Sequence, residues 1–296
     1  MNPADRLADA LGGELGAAVR ENAGSIAELR LRSGRPARMA LLGGDELCLA
    51  PVEPAELRRI LNRLMENSLY AWEEELKEGY FTAAGGLRVG VCGKMNAARG
   101  GVESLSSIAS VCIRVPREMR GCAEELARRT LADGPTSVLI LSTPGRGKTT
   151  LLRDFVRIAS ARGYNVAVAD ERREIGACLE GVPQMDLGER TDVMDGCPKV
   201  LSVPMLVRAC APQILAVDEI GSTGDARVLR EAMRCGVAVA ATAHAENLEA
   251  ASRRRQIGFL IREGIFDWCA ILGPGVGKIR EIRPLKGGGE GKVKQC

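Results

Sequence analysis

The feature that most constrains the fold of this chain is a glycine-bearing segment, STPGRGKTT, between an apolar run and a helical pattern. The apolar run covers residues 138–141, and apolar residues recur at helical spacing from 151 to 158. A strand, such a loop and a helix in this order are typical of a P-loop, which holds nucleotide phosphates on backbone N–H groups at a helix N-terminus. The segment predicts phosphate contacts from these residues: Ser142, Thr143, Pro144, Gly145, Arg146, Gly147, Lys148, Thr149 and Thr150.

Single residues of this loop have separate predicted tasks. Gly145 and Gly147 let the backbone approach the phosphates without a Cβ in the way. Lys148 is expected to meet the β- and γ-phosphate oxygens, and Thr149 to ligate Mg²⁺. The usual pattern begins with glycine, whereas this chain has Ser142 there. On this segment alone, a surface turn that merely contains Gly-Lys-Thr stays an open alternative.

A second apolar run, in QILAVDE at residues 213–219, ends in two acids. In P-loop enzymes, a strand beside the first one delivers an aspartate to the Mg²⁺ shell, which predicts Asp218 as a metal ligand. Glu219 follows it and is expected to polarise the attacking water as a general base. A turn that happens to contain acids is the alternative for this run taken alone. Together, the two segments predict a site for ATP and Mg²⁺.

Two further polar groups follow apolar runs, at strand ends where open α/β sheets bind ligands. Asp170 and Glu171 follow NVAVA, and His244 follows VAVAAT. We expect His244 to sense the γ-phosphate or the attacking water, although a lone histidine is also compatible with a structural role. The sequence thus predicts that these side chains meet at one edge of a sheet.

The pattern along the chain predicts two domains. Residues 1–115 are expected to form a smaller α+β domain, with strands on either side of a turn at 33–36, helices from Pro54 and over 68–78, a hairpin turning at Gly85-Gly86 and a loop at 95–104. Residues 116–135 are expected to be a linker and hinge. In 136–283, apolar runs alternate with helical patterns, which predicts an α/β domain with a parallel central sheet. The expected strands are 137–141, 165–169, 213–217, 237–242 and 268–272, and the expected helices are about 149–162, 204–210, 223–235 and 246–263. A hairpin is expected at 272–282 and a disordered tail at 284–296.

Composition excludes several classes of function. The chain has 296 residues, a net charge of +3 and 3% aromatic residues, so neither a polyanionic partner nor a base-stacking surface is favoured. Its ten cysteines show no C-x-x-C spacing, which argues against a zinc site and favours reduced thiols in the cytoplasm. No stretch reaches the about 18 apolar residues of a membrane span. The small net charge and the few aromatic residues therefore do not favour nucleic acid as a partner.

Basic residues leave two interpretations open. The arginines in SRRRQ at 252–256 are typical of a solvated helix face, with nucleic-acid binding as the alternative. Arg88 and Arg114 stand inside apolar, strand-like sequences, LRVGV and VCIRV. Alternation along a strand alone would turn them to the solvent face, so a functional role for them needs independent support.

Taken together, these motifs resemble the secretion-type ATPases that power type II and type IV pilus machines, and within that group the stage III sporulation branch. The resemblance covers residues 25–283. It is carried by AELRLRSGRPARM, GGLRVGV and SVCIRVP in the first domain and by the P-loop, DERREI, LAVDE and TAHA in the second. DERREI and VPQMDLGERTDVMDGCPK are the most specific to the sporulation branch.

The resemblance implies a RecA-like P-loop ATPase domain preceded by the smaller α+β domain. It implies that Arg88 and Arg114 reach a neighbouring subunit's nucleotide, and it assigns the acidic box to Asp170 and Glu171 and the histidine box to His244. It further implies a homo-oligomeric ring, most simply a hexamer, in the mother-cell cytoplasm. There the ring would energise a membrane-embedded channel that leads to the forespore.

Two other functions stay open at this point. The first is an ATP-dependent nucleic-acid-binding protein, because related ATPase domains occur fused to nucleic-acid-binding modules. The second is a nucleotide-gated scaffold that binds ATP with little turnover. The two departures from the motor family are Ser142 at the first P-loop position and the absence of a tetracysteine zinc motif.

Overall fold

The computed structural model describes residues 2–66, 72–77, 79–98 and 101–285. Its internal contacts divide the chain into two compact units. The N-terminal unit comprises Met1–Arg117 together with Ala177–Glu180, and the C-terminal unit comprises Glu118–Gly176 and Gly181–Cys296. Each unit is described by itself.

The N-terminal unit is an antiparallel sheet with short helices. Its strands lie in the order β3-β2-β1-β6-β5-β4. The elements, in chain order, are α1 Pro3–Leu11, α2 Gly13–Glu21, β1 Ile26–Arg32, β2 Arg35–Leu41, β3 Glu46–Val52, α3 Pro54–Leu64, α4 Glu73–Lys77, β4 Tyr80–Ala83, β5 Leu87–Ala98 and β6 Gly101–Arg114.

Period-two alternation builds this sheet and gives it one buried face. In β1, Leu29 and Leu31 are fully buried, whereas Arg30 and Arg32 are exposed. Helix α3 starts with Pro54, whose fixed φ suits a first helical turn. Its apolar stripe, which includes Ile60, packs into the same core. The two strands around the turn at 33–36, the helix from Pro54 and the hairpin at Gly85-Gly86 are thus confirmed.

The prediction of a loop at 95–104 is wrong. Strands β5 and β6 continue through the described part of this segment, and Asn96 pairs with Ser104 and Ala97 with Val102. Backbone pairing carries this extension, which has no apolar alternation to reveal it. Several bulges interrupt it, and at Gly93 a Cβ would lie 1.7 Å from the carbonyl oxygen of Ser107.

Other differences in this unit concern its beginning and its second helix. Helices α1 and α2 and strand β3 were not expected, although Asn2 caps α1 by accepting from the Ala4 N–H. Of the helix expected over 68–78, the structure describes α4, in which Leu76 is buried, and the buried Trp72 directly before it. The remaining positions of that prediction, 68–71 and 78, lie outside the described residues.

The C-terminal unit is an α/β layer structure around one sheet in the order β13-β12-β7-β11-β10-β8-β9. All neighbouring strands are parallel except the antiparallel edge pair β12–β13. The elements are α5 Glu124–Thr130, β7 Val138–Ser142, α6 Lys148–Ala161, β8 Val166–Asp170, β9 Thr191–Asp195, α7 Lys199–Cys210, β10 Ile214–Val217, α8 Thr223–Arg234, β11 Ala238–His244, α9 Leu248–Arg253, α10 Arg255–Arg262, β12 Trp268–Leu272 and β13 Ile279–Pro284.

The central strands β7, β8 and β10 are buried at every position. Two apolar clusters cover the two faces: alternate residues of β7, such as Leu139 and Ile140, fall into different clusters. Burial on both faces explains the continuous apolar runs in the sequence. The carboxyl ends of the parallel strands therefore meet at one edge, where the polar residues follow.

The predicted strands of this unit are present, and the helices differ in their bounds. Helix α7 begins at Lys199 and contains Pro204, where the sequence analysis placed its start. The helix expected over 246–263 is two helices that meet at Arg254. Strand β9 was not expected, because its residues are only half-buried at the sheet edge. The hairpin at 272–282 is confirmed by the β12–β13 pairing.

The segment 116–135 contains α5, whose buried residues Leu126 and Ala127 belong to the C-terminal unit's core. Its role as a hinge stays a prediction, as do the expected domain boundaries. Most of the expected tail, residues 286–296, lies outside the described residues. Across the described ranges, no helix has both the length and the apolar character of a membrane span.

Candidate nucleotide site

The segment predicted to bind phosphates, which we call the phosphate segment, connects β7 to α6 at the carboxyl edge of the sheet. Gly145 and Gly147 have φ values of +74° and +82°, in the left-handed region that favours glycine. A Cβ on Gly147 would lie 2.6 Å from the backbone nitrogen of Gly277, whereas one on Gly145 would meet no atom within 4 Å. The Gly277 N–H donates to the carbonyl of Arg146 at 2.9 Å. The β12–β13 turn thus supports one side of the loop and leaves the other side open.

Ser142 is the last residue of β7 and is buried, and its hydroxyl donates to the carbonyl of Thr143 at 2.7 Å. A glycine has no such bond at this position. Thr143, Pro144, Gly145 and Arg146 are exposed in the loop that follows. The segment therefore begins at a buried residue, Ser142, and residues 143–146 after it are exposed to solvent before α6 starts at Lys148.

Thr149 and Asp218 meet at the start of α6. The Thr149 hydroxyl donates to Asp218 Oδ2 at 2.8 Å. The other carboxylate oxygen, Oδ1, accepts from the Thr242 hydroxyl at 2.5 Å and from the Glu219 N–H at 3.0 Å. Hydrogen bonds to a charged group contribute about 1.5–3 kcal/mol each. A hydroxyl and a carboxylate held together are hard oxygen ligands that suit Mg²⁺, so these two residues fit the ion.

Glu219 occupies a strained backbone position next to this pair. Its φ is +43°, which is uncommon for a residue other than glycine. Its N–H also donates to the Thr242 hydroxyl at 2.9 Å, which holds the strained conformation. Arg172 Nη1 lies 2.5 Å from Glu219 Oε2, and His244 Nε2 lies 4.0 Å from Glu219 Oε1. Strain of this kind persists where the surroundings enforce it, and it clusters at functional sites.

Lys148 lies against His244, which ends the strand next to β7. The Lys148 ammonium is 3.1 Å from Nδ1 of the imidazole. Burial lowers the pKa of Lys148, while the carboxylates of Asp218 and Glu219 oppose this effect. The site thus brings together the predicted residues Lys148, Thr149, Asp218, Glu219 and His244.

The acidic box divides into a structural residue and a paired one. Asp170 is fully buried and accepts from the N–H groups of Glu174, Ile175 and Gly176 at 2.8–3.1 Å. Burial raises its pKa, and the bonds from these N–H groups oppose the rise. Asp170 therefore holds the turn after β8. Glu171 forms an ion pair with Lys199 at the start of α7, and its predicted catalytic role stays a prediction.

Arg88 and Arg114 are cross-strand partners in the N-terminal unit. The Arg88 guanidinium lies over the Tyr80 ring, 4.1 Å from its centroid. Arg114 Nε is 3.3 Å from Glu28 Oε2, and its side chain is 66% exposed. The two arginines share one solvent-side face of the sheet, as the alternation predicted.

A cavity of about 500 Å³ opens beside the phosphate segment, within the C-terminal unit. Met119 and Cys122 lie on one side of it and residues 276–282 on the other. The Cys122 thiol points toward the carbonyl of Thr150, 3.8 Å away. The cavity therefore adjoins the end of the phosphate segment at the first turn of α6.

Sequence reasoning missed three contributors to the site. Thr242 links Asp218 to the Glu219 backbone, and Arg172 engages Glu219. Both residues lie in segments that the sequence analysis singled out, DERREI and TAHA. No pattern in those segments predicts the contacts that the two side chains make. Lys199 pairs with Glu171 across 28 positions of sequence, and no local pattern links them.

Comparison with known proteins gives consistent relatives. A family model described as sporulation stage III, protein AA matches residues 11–288. Stage III sporulation protein AA of Bacillus subtilis (strain 168) is 40% identical over 248 residues, which cover 82% of this chain and 80% of that protein. The expected membership of the sporulation branch is confirmed.

Solved structures of similar fold include an ATPase and a pilus motor. The X-ray structure of the Legionella pneumophila ATPase DotB has a TM-score of 0.57 at 16% identity and covers 86% of this chain and 74% of its own. The pilus retraction motor PilT with bound ADP has a TM-score of 0.59 at 14% identity and covers 90% and 80%. At these identities the likeness concerns the fold, and the predicted RecA-like fold is confirmed.

Proposed function

The chain belongs to the sporulation stage III protein AA family, and from this premise we propose that it is an ATP-hydrolysing motor of the secretion-ATPase type. The observation that carries the proposal is the contact between Thr149 and Asp218 at 2.8 Å. It joins the first turn of α6 to the end of β10, so that a phosphate loop and a metal-binding carboxylate face one point. The names of two structural neighbours, the ATPase DotB and the pilus retraction motor PilT with bound ADP, support the same activity.

The residues of the site have distinct roles in this proposal. The open backbone around Gly145 and the N-terminus of α6 receive the triphosphate. When the nucleotide binds, the Lys148 ammonium moves from His244 toward the β- and γ-phosphate oxygens. The negative charge of these oxygens offsets the free-energy cost of burying the ammonium. Thr149 and Asp218 would hold Mg²⁺, which would neutralise charge that develops on the phosphates.

Glu219 is the proposed general base. Its position beside the metal-binding pair and within 4.0 Å of His244 supports this role. In this role, one carboxylate oxygen accepts a proton from the attacking water while the bond from the water oxygen to the γ-phosphorus forms and the bond from that phosphorus to the oxygen of the leaving ADP breaks. Arg172 holds the other oxygen and His244 stands on the phosphate side, so the carboxylate keeps one orientation.

The base and ribose of the nucleotide are assigned to the cavity beside Cys122. Its volume suits a ligand of this size. Its wall at Val276 and Gly277 is the same turn that supports Gly147, so a nucleotide there would contact the loop and the turn together.

Arg88 and Arg114 are proposed to act on a neighbouring subunit's nucleotide. Their side-by-side placement on one exposed face supports this assignment. An arginine supplied in trans offsets charge on the transferring phosphoryl group, an effect of about 10³–10⁵ in rate in other NTPases. This role requires a ring, for which we propose six subunits, in the cytoplasm of the mother cell. There it would energise a membrane-embedded sporulation channel.

The direct test compares phosphate release from Mg-ATP by the wild-type protein and by Thr149→Ala and Asp218→Asn variants. The proposal expects turnover that needs Mg²⁺ and that both variants abolish. Stimulation by single-stranded DNA or RNA with a steep salt dependence would favour the nucleic-acid-binding alternative. Tight ATP binding without turnover in an assembled ring would favour the scaffold.

A further inference from the structure

A second cavity of the C-terminal unit has an unusual charge. It lies between α8 and α10, has a volume of about 360 Å³, and is lined by Arg227, Arg230, Arg255, Arg262, Phe259 and Ala226 among others. We call it the arginine pocket. Phe259 and Ala226 are apolar groups between two rows of guanidinium groups, one on each helix. Arg255 also belongs to the basic SRRRQ segment, which the nucleotide site does not use.

The guanidinium groups of the pocket have no internal counter-charge. Within the part of the chain that the structure describes, none of the four arginines forms an ion pair or a side-chain hydrogen bond. Arg230 is half-buried, its Nε has no acceptor, and its guanidinium lies 5.5 Å from the centroid of Phe259. A buried donor without a partner costs about 1–3 kcal/mol. An anion at this place would satisfy the donor and relieve the repulsion among like charges.

The spacing of the arginines indicates the size of that anion. Arg255 and Arg262 are seven residues apart on α10, which is about 10 Å along a helix axis at 1.5 Å per residue. A ligand with two separated anionic groups matches arginines spread over this distance better than a single phosphate does. On an extended peptide, two acidic side chains three residues apart are about 10 Å apart along the chain, at 3.3 Å per residue, and point to opposite sides, which suits one arginine row on each side.

The pocket lacks the other features of a nucleotide or phosphate site. A carboxylate already lies at the N-terminus of α8, where Asp225 accepts from the N–H groups of Gly221 and Ser222 just before the helix and its own N–H donates to Ser222 Oγ. This negative charge disfavours a phosphate at that end of the helix. The Phe259 ring already carries Arg230 on one face. A base would therefore find that stacking face occupied, whereas an aliphatic side chain can pack between the arginine stems.

We propose that the arginine pocket binds an acidic peptide segment of a partner protein, with carboxylates on the two arginine rows and an apolar side chain against Phe259 and Ala226. Guanidinium–carboxylate pairs can form two parallel hydrogen bonds, which gives such docking geometric specificity. The inference does not depend on ATP hydrolysis, so it can fail or hold independently of the proposed function.

The test uses fluorescence anisotropy with a panel of labelled peptides in which two glutamates three residues apart enclose leucine, valine or phenylalanine. Matched peptides carry glutamine for glutamate, or serine for the apolar residue. We expect saturable binding that weakens at least about tenfold in either matched set. The proposal would be overturned if no peptide of the panel bound. It would also be overturned if replacing the apolar residue by serine left the affinity unchanged.

Variants of the full chain locate the site. Arg227→Glu with Arg262→Glu should weaken peptide binding about tenfold or more, and Arg227→Gln with Arg262→Gln should weaken it less. Arg58→Glu with Arg59→Glu, at two exposed positions of α3, makes the same charge change outside the pocket and should leave binding unchanged. Equal binding by all variants would contradict the assignment. Displacement of the peptide by pyrophosphate or a thymidine oligonucleotide at equal concentration would also contradict it. A changed oligomer mass in the glutamate variant, with unchanged peptide binding, would contradict it as well.

Discussion

Arg172 Nη1 lies 2.5 Å from Oε2 of Glu219, and the two residues follow adjacent strands of the parallel sheet, β8 and β10. The pair is partly exposed, with side-chain exposures of 58% and 30%. Ion pairs of this exposure contribute little to stability, about 0–1 kcal/mol. Its significance is therefore the orientation of the proposed general base.

Replacing Arg172 by alanine should lower the kcat for ATP about tenfold with little change in KM, because the Glu219 carboxylate loses its fixed orientation. Arg172→Lys should restore part of the rate. Arg173→Ala is the matched control, since Arg173 pairs with Asp195 at the end of β9. Steady-state kinetics of the three variants checks this. A wild-type kcat in Arg172→Ala would remove Arg172 from the site.

Affinity for ATP should fall as pH rises in the alkaline range. Burial lowers the pKa of free Lys148 below its ordinary value of 10.5, and bound phosphates favour its charged form and raise it again. Between the two values, binding takes up a proton, so affinity is highest below the lowered pKa and decreases above it. Calorimetric titration in two buffers of different ionisation enthalpy measures this uptake. Lys148→Arg should show none, and equal proton uptake in that variant would assign the effect to another group.

Cys122→Trp should fill the cavity assigned to the base. Burial raises the pKa of the Cys122 thiol to about 12, which makes alkylation at neutral pH slow and a substitution the sharper probe. We expect ATP affinity to fall about tenfold while pyrophosphate affinity is retained, since only the phosphate segment contacts pyrophosphate. Cys235→Trp, at an exposed cysteine after α8, is the control. An equal loss for both ligands would show that the loop was disturbed and would refute the assignment.

Arg88→Ala and Arg114→Ala should each lower turnover and leave ATP affinity nearly unchanged, if these arginines act in trans. Mixing either variant with an inactive Lys148→Ala protein should then recover activity, because mixed rings contain some intact composite sites. Phosphate release from the mixtures measures the recovery, and native mass measurements with a non-hydrolysable ATP analogue confirm mixed assembly. Mixed rings that stay as inactive as their parents would place the arginines in cis or outside the site.

Much of the C-terminal unit was predictable because its central strands are buried on both faces. The apolar runs of β7 and β10 are continuous in the sequence. The polar residues that follow them, such as Asp218 and Glu219 after β10, were recognisable as candidates for a ligand site. The same physical reason hid β9, which lies at the sheet edge with half-buried residues. A strand without a buried face has no apolar signature. The β5–β6 extension was missed because its sequence shows no apolar alternation.

The contacts within the site were less predictable than its members. Lys199 pairs with Glu171 only because α7 packs against β8, and that packing joins residues far apart in sequence. From the sequence alone, Asp170 belongs to the same acidic box as Glu171 and cannot be told apart from a functional acid. Its three backbone partners appear only once the turn after β8 is folded.

The most direct measurement of the central claim is a single-turnover experiment with the wild-type protein and its Glu219→Gln variant. Both should bind Mg-ATP with similar affinity, because the substitution leaves Lys148, Thr149 and Asp218 in place. The wild-type protein should release phosphate, whereas the variant should retain intact ATP, with hydrolysis at least about a hundredfold slower. Hydrolysis by Glu219→Gln at the wild-type rate, or failure of the wild-type protein to bind Mg-ATP, would contradict the account.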